Sequence, residues 1–286
     1  MRTVTIFFLS TMISCAPGAG QAPDPIRVMS FNIRYGTADD GRNSWEFRRN
    51  LVGQVIRQND PDILGIQEAL AFQILELEEV MPGHRRIGVG RDDGVAAGEF
   101  AAIYYRSQRF EIDSSGTFWL SETPDVPGSM HWGNRLTRIC TWVRLIDSGS
   151  DDAFYVFNVH LDHQSQSSRE RSVELVAQRI MERLHDDPVI LMGDFNAGED
   201  NPAMRYLRGE TAAPAIQLTD ALRALHPDAT ETGTFGAWVG ETSGDRIDAI
   251  LVWDFEIVEA DIVRYNRDGR YPSDHFPVTA SLRWLQ

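Results

Sequence analysis

The sequence predicts an α/β fold in which two β-sheets pack against each other, with helices outside them, in one domain. Three observations support this prediction. Eleven short apolar segments have the length of strands, helical patterns separate some of them, and neither a second linker nor a fixed-period repeat follows Ile26. The chain has 286 residues, of which 42% are hydrophobic, so it is long enough to bury the core of such a domain.

The predicted strands are rich in β-branched and aromatic residues and are bounded by turn-forming residues. In chain order they are IRVMSFNI, DILGIQE, RRIGVG, FAAIYYR, GTFWLS, RICTWVRLI, AFYVFNVHL, PVILMGDFN, RIDAILVW, IVEADIVRY and FPVTASLRW. The run from Val189 to Met192 consists of four apolar residues in succession. A run of this kind indicates a strand that is covered on both faces.

A first helix is predicted over residues 44–58. Phe47, Leu51 and Val55 recur there at intervals of four residues, so they share one face of a helix. The sequence Asn59–Pro61 ends this pattern, because proline and the residue before it disfavour helical backbone.

A second helix is predicted over residues 168–185, where the apolar residues form one stripe. Ser167 and Glu170 have the spacing of a capping box at its start. Asn201 followed by Pro202 indicates the start of a further helix, since proline is favoured at the first helical position.

Residues 1–14 have the pattern of a signal peptide. One arginine precedes an apolar run, Val4 to Ile13, that is too short to span a bilayer. The ending Met-Ile-Ser-Cys resembles a bacterial lipobox with Met in place of the usual Leu, so we expect membrane attachment through a lipidated Cys15. Ordinary cleavage a few residues later, or a disordered tail, are the alternatives. We expect a flexible tether at 15–25, a folded domain at 26–286, and an exported periplasmic or cell-surface lipoprotein of a bacterium.

Composition excludes several kinds of site. If Cys15 carries a lipid, Cys140 is the remaining cysteine, so an internal disulfide and a thiolate metal cluster are excluded. All 27 basic residues are arginine, so the chain lacks the lysine that a P-loop requires. The net charge of -15 disfavours nonspecific attraction to nucleic acid or anionic lipid, although a small basic cleft can lie within an acidic total.

Polar side chains recur at the ends of apolar strands and in two later segments. These residues are Asn32, Glu68, His160, Asp194, Asn196, Asp248, Asp274 and His275. They supply oxygen ligands and proton carriers but no thiolate, which is the set that a hydrolytic site with a hard divalent cation uses. Strand ends are rigid, so a site built on them is held accurately.

Other motifs match less well. GVGRDDG has Asp93 where a dinucleotide-binding loop needs its third glycine, and DFNAGE places Gly198 one position early for a calcium loop. The chain also lacks a G-x-S-x-G elbow. NVHLDH nearly matches the H-x-H-x-D-H of metallo-β-lactamase-type zinc enzymes, with Asn158 in place of the first histidine. A zinc hydrolase of that type is therefore one alternative.

In this order, MSFNIR, DILGIQE, NVHLDH, VILMGDFNA, RIDAILV and YPSDHFPV resemble the motifs of the endonuclease/exonuclease/phosphatase superfamily. The resemblance extends from about Val28 to Val278. It implies the deoxyribonuclease-I-like fold, a four-layer α/β sandwich of two packed mixed β-sheets flanked by helices, with the active site at the sheet edge. The intervening segments GVGRDDG…GEFAAIYYR and SGTFWLSETPDVPGS resemble a bacterial, exported branch of this superfamily.

The resemblance also implies a metal site. Glu68 corresponds to the principal metal ligand, and Asn32 would lie beside it to orient the ion or its waters. Asp274 would be a second acidic group near metal and water. The expected cofactor is Mg²⁺ or Mn²⁺, because a hard cation of this kind needs few protein ligands.

The catalytic roles implied by the resemblance fall on five residues. Asp194 would align or activate the attacking water, and Asn196 would bond the phosphate. Asp248 would hold the ring of His275, which would act as a base or as a cationic clamp. His160 would donate to a phosphate oxygen.

Two further residues, Arg138 and His163, are candidates for substrate contact. Arg138 would contact phosphate, and His163 could approach the same pocket although it matches no superfamily-wide position.

We therefore expect a divalent-metal-dependent phosphoesterase that uses in-line attack of water on a phosphodiester or phosphomonoester. Nucleic acid, inositol phosphates and phospholipid headgroups are all candidate substrates, and the protein is expected to be a monomer without a protein partner. The second alternative, besides the zinc hydrolase, is a catalytically inactive surface binding module on the same fold.

Overall fold

Two six-stranded β-sheets form the centre of the computed structural model, which describes residues 24–212 and 214–285. The predicted signal peptide, the lipidation site Cys15 and residues 15–23 of the tether lie outside the described residues. The strands, in chain order, are β1 Ile26–Asn32, β2 Ile63–Ala69, β3 His84–Ile87, β4 Phe100–Arg106, β5 Phe110–Trp119, β6 Ile139–Asp147, β7 Ala153–His160, β8 Val189–Asp194, β9 Thr219–Asp220, β10 Asp248–Trp253, β11 Phe255–Ile262 and β12 Val278–Trp284. The helices are α1 Trp45–Asn59, α2 Ala71–Val80, α3 Gln166–Met181, α4 Pro202–Leu207 and α5 Ala221–Leu225.

Both sheets are mixed. The first has the order β11-β12-β1-β2-β4-β3 and the second the order β5-β6-β7-β8-β10-β9. The central pairs β1/β2 and β7/β8 are parallel, and the other neighbouring strands are antiparallel. A parallel pair places the carboxyl ends of both strands at the same edge, so the ends of four central strands come together there.

The layers are helices, sheet, sheet and helices, which confirms the predicted four-layer α/β sandwich. Apolar side chains of the two sheets, among them Val28 and Met192, form the core between them. On the outer face of the first sheet, α1 and α2 pack over β1, β2 and β4; Val52 of α1 and Leu64 of β2 belong to this core. On the outer face of the second sheet, α3 and α4 pack over β7 and β8.

Strand β8 shows why the run from Val189 to Met192 is entirely apolar. Ile190 and Met192 face the first sheet, whereas Val189 and Leu191 belong to the core beneath α3 and α4. All four side chains are buried, as the sequence predicts for a strand covered on both faces.

One detail of the first predicted helix and one of the second differ in the structure. Helix α1 turns Trp45, Arg48 and Val52 inward, so Phe47 is on the solvent side and is 52% exposed. The capping box of Ser167 and Glu170 does not form, because α3 begins at Gln166 and the side chain of Ser165 accepts the hydrogen bond from Ser168 N at 3.2 Å.

Helix α3 ends earlier than predicted, whereas helix α4 begins at the predicted position. Helix α3 ends at Met181 rather than at residue 185, and Leu184, assigned to its apolar stripe, is exposed. Helix α4 begins as predicted, with Asn201 accepting a hydrogen bond from Ala203 N and Pro202 at the first helical position. None of the helices in the described ranges is both long and apolar enough to cross a membrane.

At the opposite edge of the sandwich, a buried carboxylate accepts hydrogen bonds from three arginines. Asp62, just before β2, accepts hydrogen bonds from Arg27 N at 3.0 Å, Arg106 Nε at 2.8 Å and Arg109 Nη1 at 3.1 Å. Burial alone would raise the pKa of Asp62, but the hydrogen bonds from Arg27 and Arg106 outweigh it and hold the pKa below its ordinary value. A pKa lowered by folding means that the charged carboxylate stabilises the folded state.

Replacing Asp62 with asparagine is expected to lower the free energy of unfolding by about 2 kcal/mol at pH 7, because a neutral amide loses the charge-assisted hydrogen bonds that the buried carboxylate accepts from partly exposed arginines. The difference from wild type should persist down to about pH 4 and shrink as pH falls through the lowered pKa of the folded state. Urea unfolding at a series of pH values measures this difference in the free energy of unfolding. Asp228→Asn, at an exposed position, is the control. A difference that stays constant below pH 4 would contradict the assignment.

Candidate active site

A cleft of about 620 Å³ opens at the edge where the carboxyl ends of β1, β2, β7 and β8 meet. Its lining residues come from these strand ends and from the loops beyond them: Arg34, Tyr35, Glu68, Glu99, Leu136, Arg138, His160, His163, Asp194, Asn196, Phe235, Ala237, Trp238, Ile247, Asp274 and His275. The topology explains the gathering, because β10 pairs antiparallel to β8 with Asp248 opposite Asp194, and residues 274–275 precede β12 at the same edge.

Asn32 joins the two acidic residues at the bottom of the cleft. Its Nδ2 donates to Glu68 Oε1 at 3.0 Å and to Asp194 Oδ2 at 2.8 Å, while its Oδ1 accepts from Arg34 N at 3.0 Å. This arrangement defines the orientation of the amide, since both carboxylates can only accept when ionised. The amide nitrogen of Asn32, and not its oxygen, therefore faces the acidic cluster.

Glu68 is directed into the cleft by an irregularity at the end of β2. The pairing of β2 with β4 shifts register between Ile66 and Ala69, and Glu68 has a left-handed backbone with φ of 65°. Tyr35 N donates to Glu68 Oε2 at 3.1 Å, which holds the second carboxylate oxygen. A bulge that redirects one side chain at a strand end is common next to active sites, and left-handed backbone at a non-glycine residue stores strain there.

His275 forms a hydrogen-bonded pair with Asp248. The Nδ1 of His275 lies 2.9 Å from Asp248 Oδ2, and its Nε2 lies 3.9 Å from Asp194 Oδ2. Burial opposes a charge on this ring, but the charges of Asp248 and Asp194 outweigh burial and raise the pKa of His275 well above its ordinary value. Burial and the charge of Asp248 raise the pKa of Asp194 to about 7. The site thus contains a cationic imidazole beside a carboxyl group that can exchange a proton near neutral pH.

Arg138 lies between two histidines on another side of the cleft. Its Nη1 donates to His160 Nε2 at 2.9 Å and its Nη2 donates to His163 Nδ1 at 2.8 Å. Burial and the neighbouring Arg138 charge lower the pKa of both rings, that of His160 well below its ordinary value. His160 also lies 3.6 Å from Asp194 Oδ2, so it reaches the acidic cluster as a neutral ring.

Asp274 and Asn196 complete the set. Burial raises the pKa of Asp274, which accepts a hydrogen bond from Ser273 Oγ at 3.1 Å and lies 3.8 Å from Arg34 Nε. Asn196 has a left-handed backbone with φ of 47°; its N–H donates to Asp194 Oδ1 at 2.9 Å and its Nδ2 to Leu161 O at 3.0 Å. These bonds fix the conformation of the turn after β8, where the sequence is Gly-Asp-Phe-Asn.

The acidic cluster has the donor chemistry of a hard divalent cation. One ligand atom from each of Glu68, His160 and Asp194 lies within 4.8 Å of the others, and Asp274 lines the same cleft. Several buried or half-buried carboxylates so close together repel one another, and a bound cation removes that repulsion. Carboxylate oxygens suit Mg²⁺ or Mn²⁺ better than softer metals.

All ten residues selected from the sequence therefore lie in or directly behind one cleft, with Asn32 and Asp248 behind its lining. The zinc-hydrolase alternative fails at Asn158, which is buried between the sheets and donates to Ile66 O and Ala102 O. A side chain held there by backbone carbonyls is away from the cleft and cannot replace the first histidine of that motif.

Several lining residues were missed by the sequence analysis because they lie on loops. Glu99 is paired with Arg91 through contacts of 2.7 and 2.8 Å, and its Oε2 lies 3.8 Å from His160 Nδ1; burial raises the pKa of Glu99 to about 7. Phe235, which is exposed, and Trp238, which is half-buried, were also missed, although a glycine-rich segment with two aromatic residues is a signal for a loop at a binding site.

Comparisons with known proteins agree with this geometry. The model of the Endonuclease/Exonuclease/phosphatase family matches residues 29–275. An uncharacterized protein of Acanthamoeba polyphaga mimivirus is 32% identical over 266 residues, which cover 88% of this chain and 98% of the viral protein.

Solved structures show the same similarity. A mannosyl-6-phosphatase of Bacteroides thetaiotaomicron has a TM-score of 0.80 and 33% identity, covering 91% of this chain and 100% of that one. The catalytic domain of human Nocturnin, with a bound sulfate anion, has a TM-score of 0.72 and covers 92% of this chain and 97% of that one; at 20% identity it shows the fold alone. The matched family model includes every residue that lines the cleft and all the strands except β12 and the start of β1, so this chain belongs to the Endonuclease/Exonuclease/phosphatase family and has its deoxyribonuclease-I-like fold.

Proposed function

We propose that the protein is a divalent-metal-dependent phosphatase that removes a terminal phosphate from a small hydroxylated molecule such as a sugar phosphate. Members of its family are hydrolases that act on phosphoesters and typically need a divalent metal. The observation that carries the proposal is the placement of the acidic cluster, the Asp248–His275 pair and Arg138 on the lining of one cleft.

The shape and charge of the protein favour a small substrate. The cleft of about 620 Å³ has walls formed by loops on several sides, and Leu136 and Phe235 stand at its mouth as exposed apolar residues. A net charge of -15 opposes binding along a nucleic acid backbone, which basic surfaces normally provide. The similarity to a mannosyl-6-phosphatase at 33% identity supports the same substrate class.

We assign the metal site to Glu68 and Asp274, with Asn32 orienting the carboxylate of Glu68 through its Nδ2 rather than binding the cation itself. A divalent cation bound there would neutralise charge on the phosphate oxygens and help to place the ester for attack. Phosphate esters resist nucleophiles because the ester is anionic, so charge neutralisation and alignment carry most of the catalysis.

The remaining roles follow from protonation and position. Asp194, whose pKa is raised to about 7, accepts the proton of the attacking water. His275, kept cationic by Asp248 and Asp194, donates from Nε2 to a phosphate oxygen as a clamp. Asn196 and Arg138 contact the phosphate, and the neutral ring of His160 lies beside Asp194.

Phosphate release from purified residues 26–286 tests the proposal. Substrates are mannose 6-phosphate, glucose 6-phosphate, p-nitrophenyl phosphate, bis-p-nitrophenyl phosphate and single-stranded DNA, each with Mg²⁺, Mn²⁺, Zn²⁺ or EDTA. We expect release from the monoesters with Mg²⁺ or Mn²⁺ and none with EDTA. Cleavage confined to the diester or to DNA would contradict the phosphatase proposal and favour a phosphodiesterase or a nuclease. No reaction with any substrate would favour a binding module.

We also propose that residues 26–286 form the catalytic domain of an exported bacterial lipoprotein and act as a monomer. The support is the sequence pattern of residues 1–14 followed by Cys15 and a tether at 15–25. Mass spectrometry of the N-terminal peptide after expression in a bacterium should find a lipid on Cys15, and an unmodified N-terminus at Met1 would refute export by this route.

A further inference from the structure

Arg138 determines which nitrogen of two histidines carries the proton. A guanidinium group can only donate hydrogen bonds, and it donates to Nε2 of His160 and Nδ1 of His163, so both of these nitrogens must be acceptors. The proton of His160 therefore lies on Nδ1 and that of His163 on Nε2. Asp162, whose Oδ2 lies 3.5 Å from Arg138 Nε, holds the guanidinium in place from the other side.

The two histidines lie at different depths of the cleft. His160 is 6% exposed and lies against Asp194, at the level of the acidic cluster. His163 is an exposed residue that lines the same cleft, and within the described residues its Nε2 makes no hydrogen bond. Asp194 and His163 line the same cleft, so the Nε2–H of His163 is a fixed donor available to the alcohol part of a substrate whose phosphate lies at Asp194.

Phe235 offers a different surface at the mouth. Its ring is 45% exposed and packs edge-on against His275, with ring centres 5.2 Å apart and an interplanar angle of 72°. The backbone fixes this position, because residues 235 and 275 form a β-bridge and Phe276 N donates to Thr234 O at 2.7 Å. An exposed aromatic ring beside a reacting group is suited to the apolar face of a ring-shaped alcohol.

We propose that His163 and Phe235 form a subsite for the alcohol part of the substrate, a sugar or similar polyhydroxylated ring. His163 donates from Nε2 to a ring hydroxyl, and Phe235 contacts the apolar face of the ring. The inference rests on the proposed phosphatase function and adds to it two residues that select the leaving group. Arg138 acts as a positioning residue in this subsite because it fixes the tautomer of His163.

The test compares substrates that differ in hydroxyl groups. His163→Leu removes the donor, and we expect kcat/KM for mannose 6-phosphate to fall about tenfold more than kcat/KM for p-nitrophenyl phosphate, the size of one hydrogen bond. His163→Gln, which can place an N–H near the position of Nε2, should recover most of the loss. His185→Leu, at an exposed position outside the cleft, is the matched control. Equal losses on both substrates, or none, would overturn the subsite.

Nitrogen-15 NMR of histidine-labelled protein provides a readout that does not require turnover. Wild type should show His160 as the Nδ1–H tautomer and His163 as the Nε2–H tautomer. In Arg138→Met, both histidines should lose this preference for one tautomer. Mannose 6-phosphate should shift the Nε2 signal of His163, whereas inorganic phosphate should leave it largely unchanged. A wild-type protein inactive on every substrate refutes the phosphatase proposal, and the NMR titration then decides the subsite separately: an unshifted His163 signal overturns it.

Discussion

Replacing His275 with alanine is expected to lower the turnover number for phosphate monoesters by about 10²-fold or more. The cationic ring of His275 is held by Asp248 at 2.9 Å and lies 3.9 Å from Asp194, so its loss removes both a donor to the phosphate and the charge that balances Asp194. The effect should fall mainly on kcat, because this charge is needed most when negative charge builds up on the reacting phosphate. Steady-state phosphate release at saturating metal measures it.

His226→Ala is the matched control for this experiment. His226 is an exposed residue whose Nε2 contacts Ala260 O at 3.1 Å, and it does not line the cleft. This variant should keep wild-type turnover. Circular dichroism and thermal unfolding show whether His275→Ala is folded, and a folded variant with wild-type turnover would contradict the role of His275.

Replacing Glu68 with glutamine is expected to raise the concentration of Mn²⁺ or Mg²⁺ needed for half-maximal activation at least tenfold. Changes to groups that merely support a metal ligand commonly cost about 10- to 100-fold in affinity, so loss of the charge on the ligand itself should cost no less. Glutamine keeps the size of the side chain and can still accept from Tyr35 N, so the fold at the end of β2 should be preserved. Activity as a function of metal concentration measures the change.

Glu76→Gln provides the comparison for Glu68. Glu76 is on α2, where its carboxylate accepts from Trp45 Nε1 and pairs with Arg49, away from the cleft. Its activation curve should coincide with that of wild type. If the activation curves of Glu68→Gln and wild type coincide, Glu68 is not a metal ligand.

The strands were predictable because their signal is local. Apolar and β-branched runs such as Val189 to Met192 form strands wherever two faces can be covered, and the structure covers both. Helix α2 was not predicted, because its start depends on a distant contact. Leu70 precedes it without a capping side chain of its own, and the side chain of Gln73 accepts from Leu70 N and from Gly36 N. Gly36 belongs to the loop after β1, so sequence near α2 cannot reveal this support.

For the cleft, too, residues with a local sequence signal were predictable and residues placed by distant contacts were not. Residues at strand ends, such as Glu68 and Asp194, could be identified because the strands that carry them are recognisable and must end at one edge. Glu99, Phe235 and Trp238 could not, because loop positions depend on packing. Trp238, for example, lies under the guanidinium of Arg48, which is 5.2 Å from its ring centre and comes from helix α1.

We expect acidic residues that are far apart in the sequence to bind a single divalent cation in the cleft. Crystals of residues 26–286 soaked in MnCl₂ test it most directly through an anomalous difference map. We expect the strongest peak in the cleft, in contact with the carboxylate of Glu68 and adjacent to Asp274 and Asp194. A catalytically active crystal with manganese bound elsewhere and none at Glu68 would contradict the account.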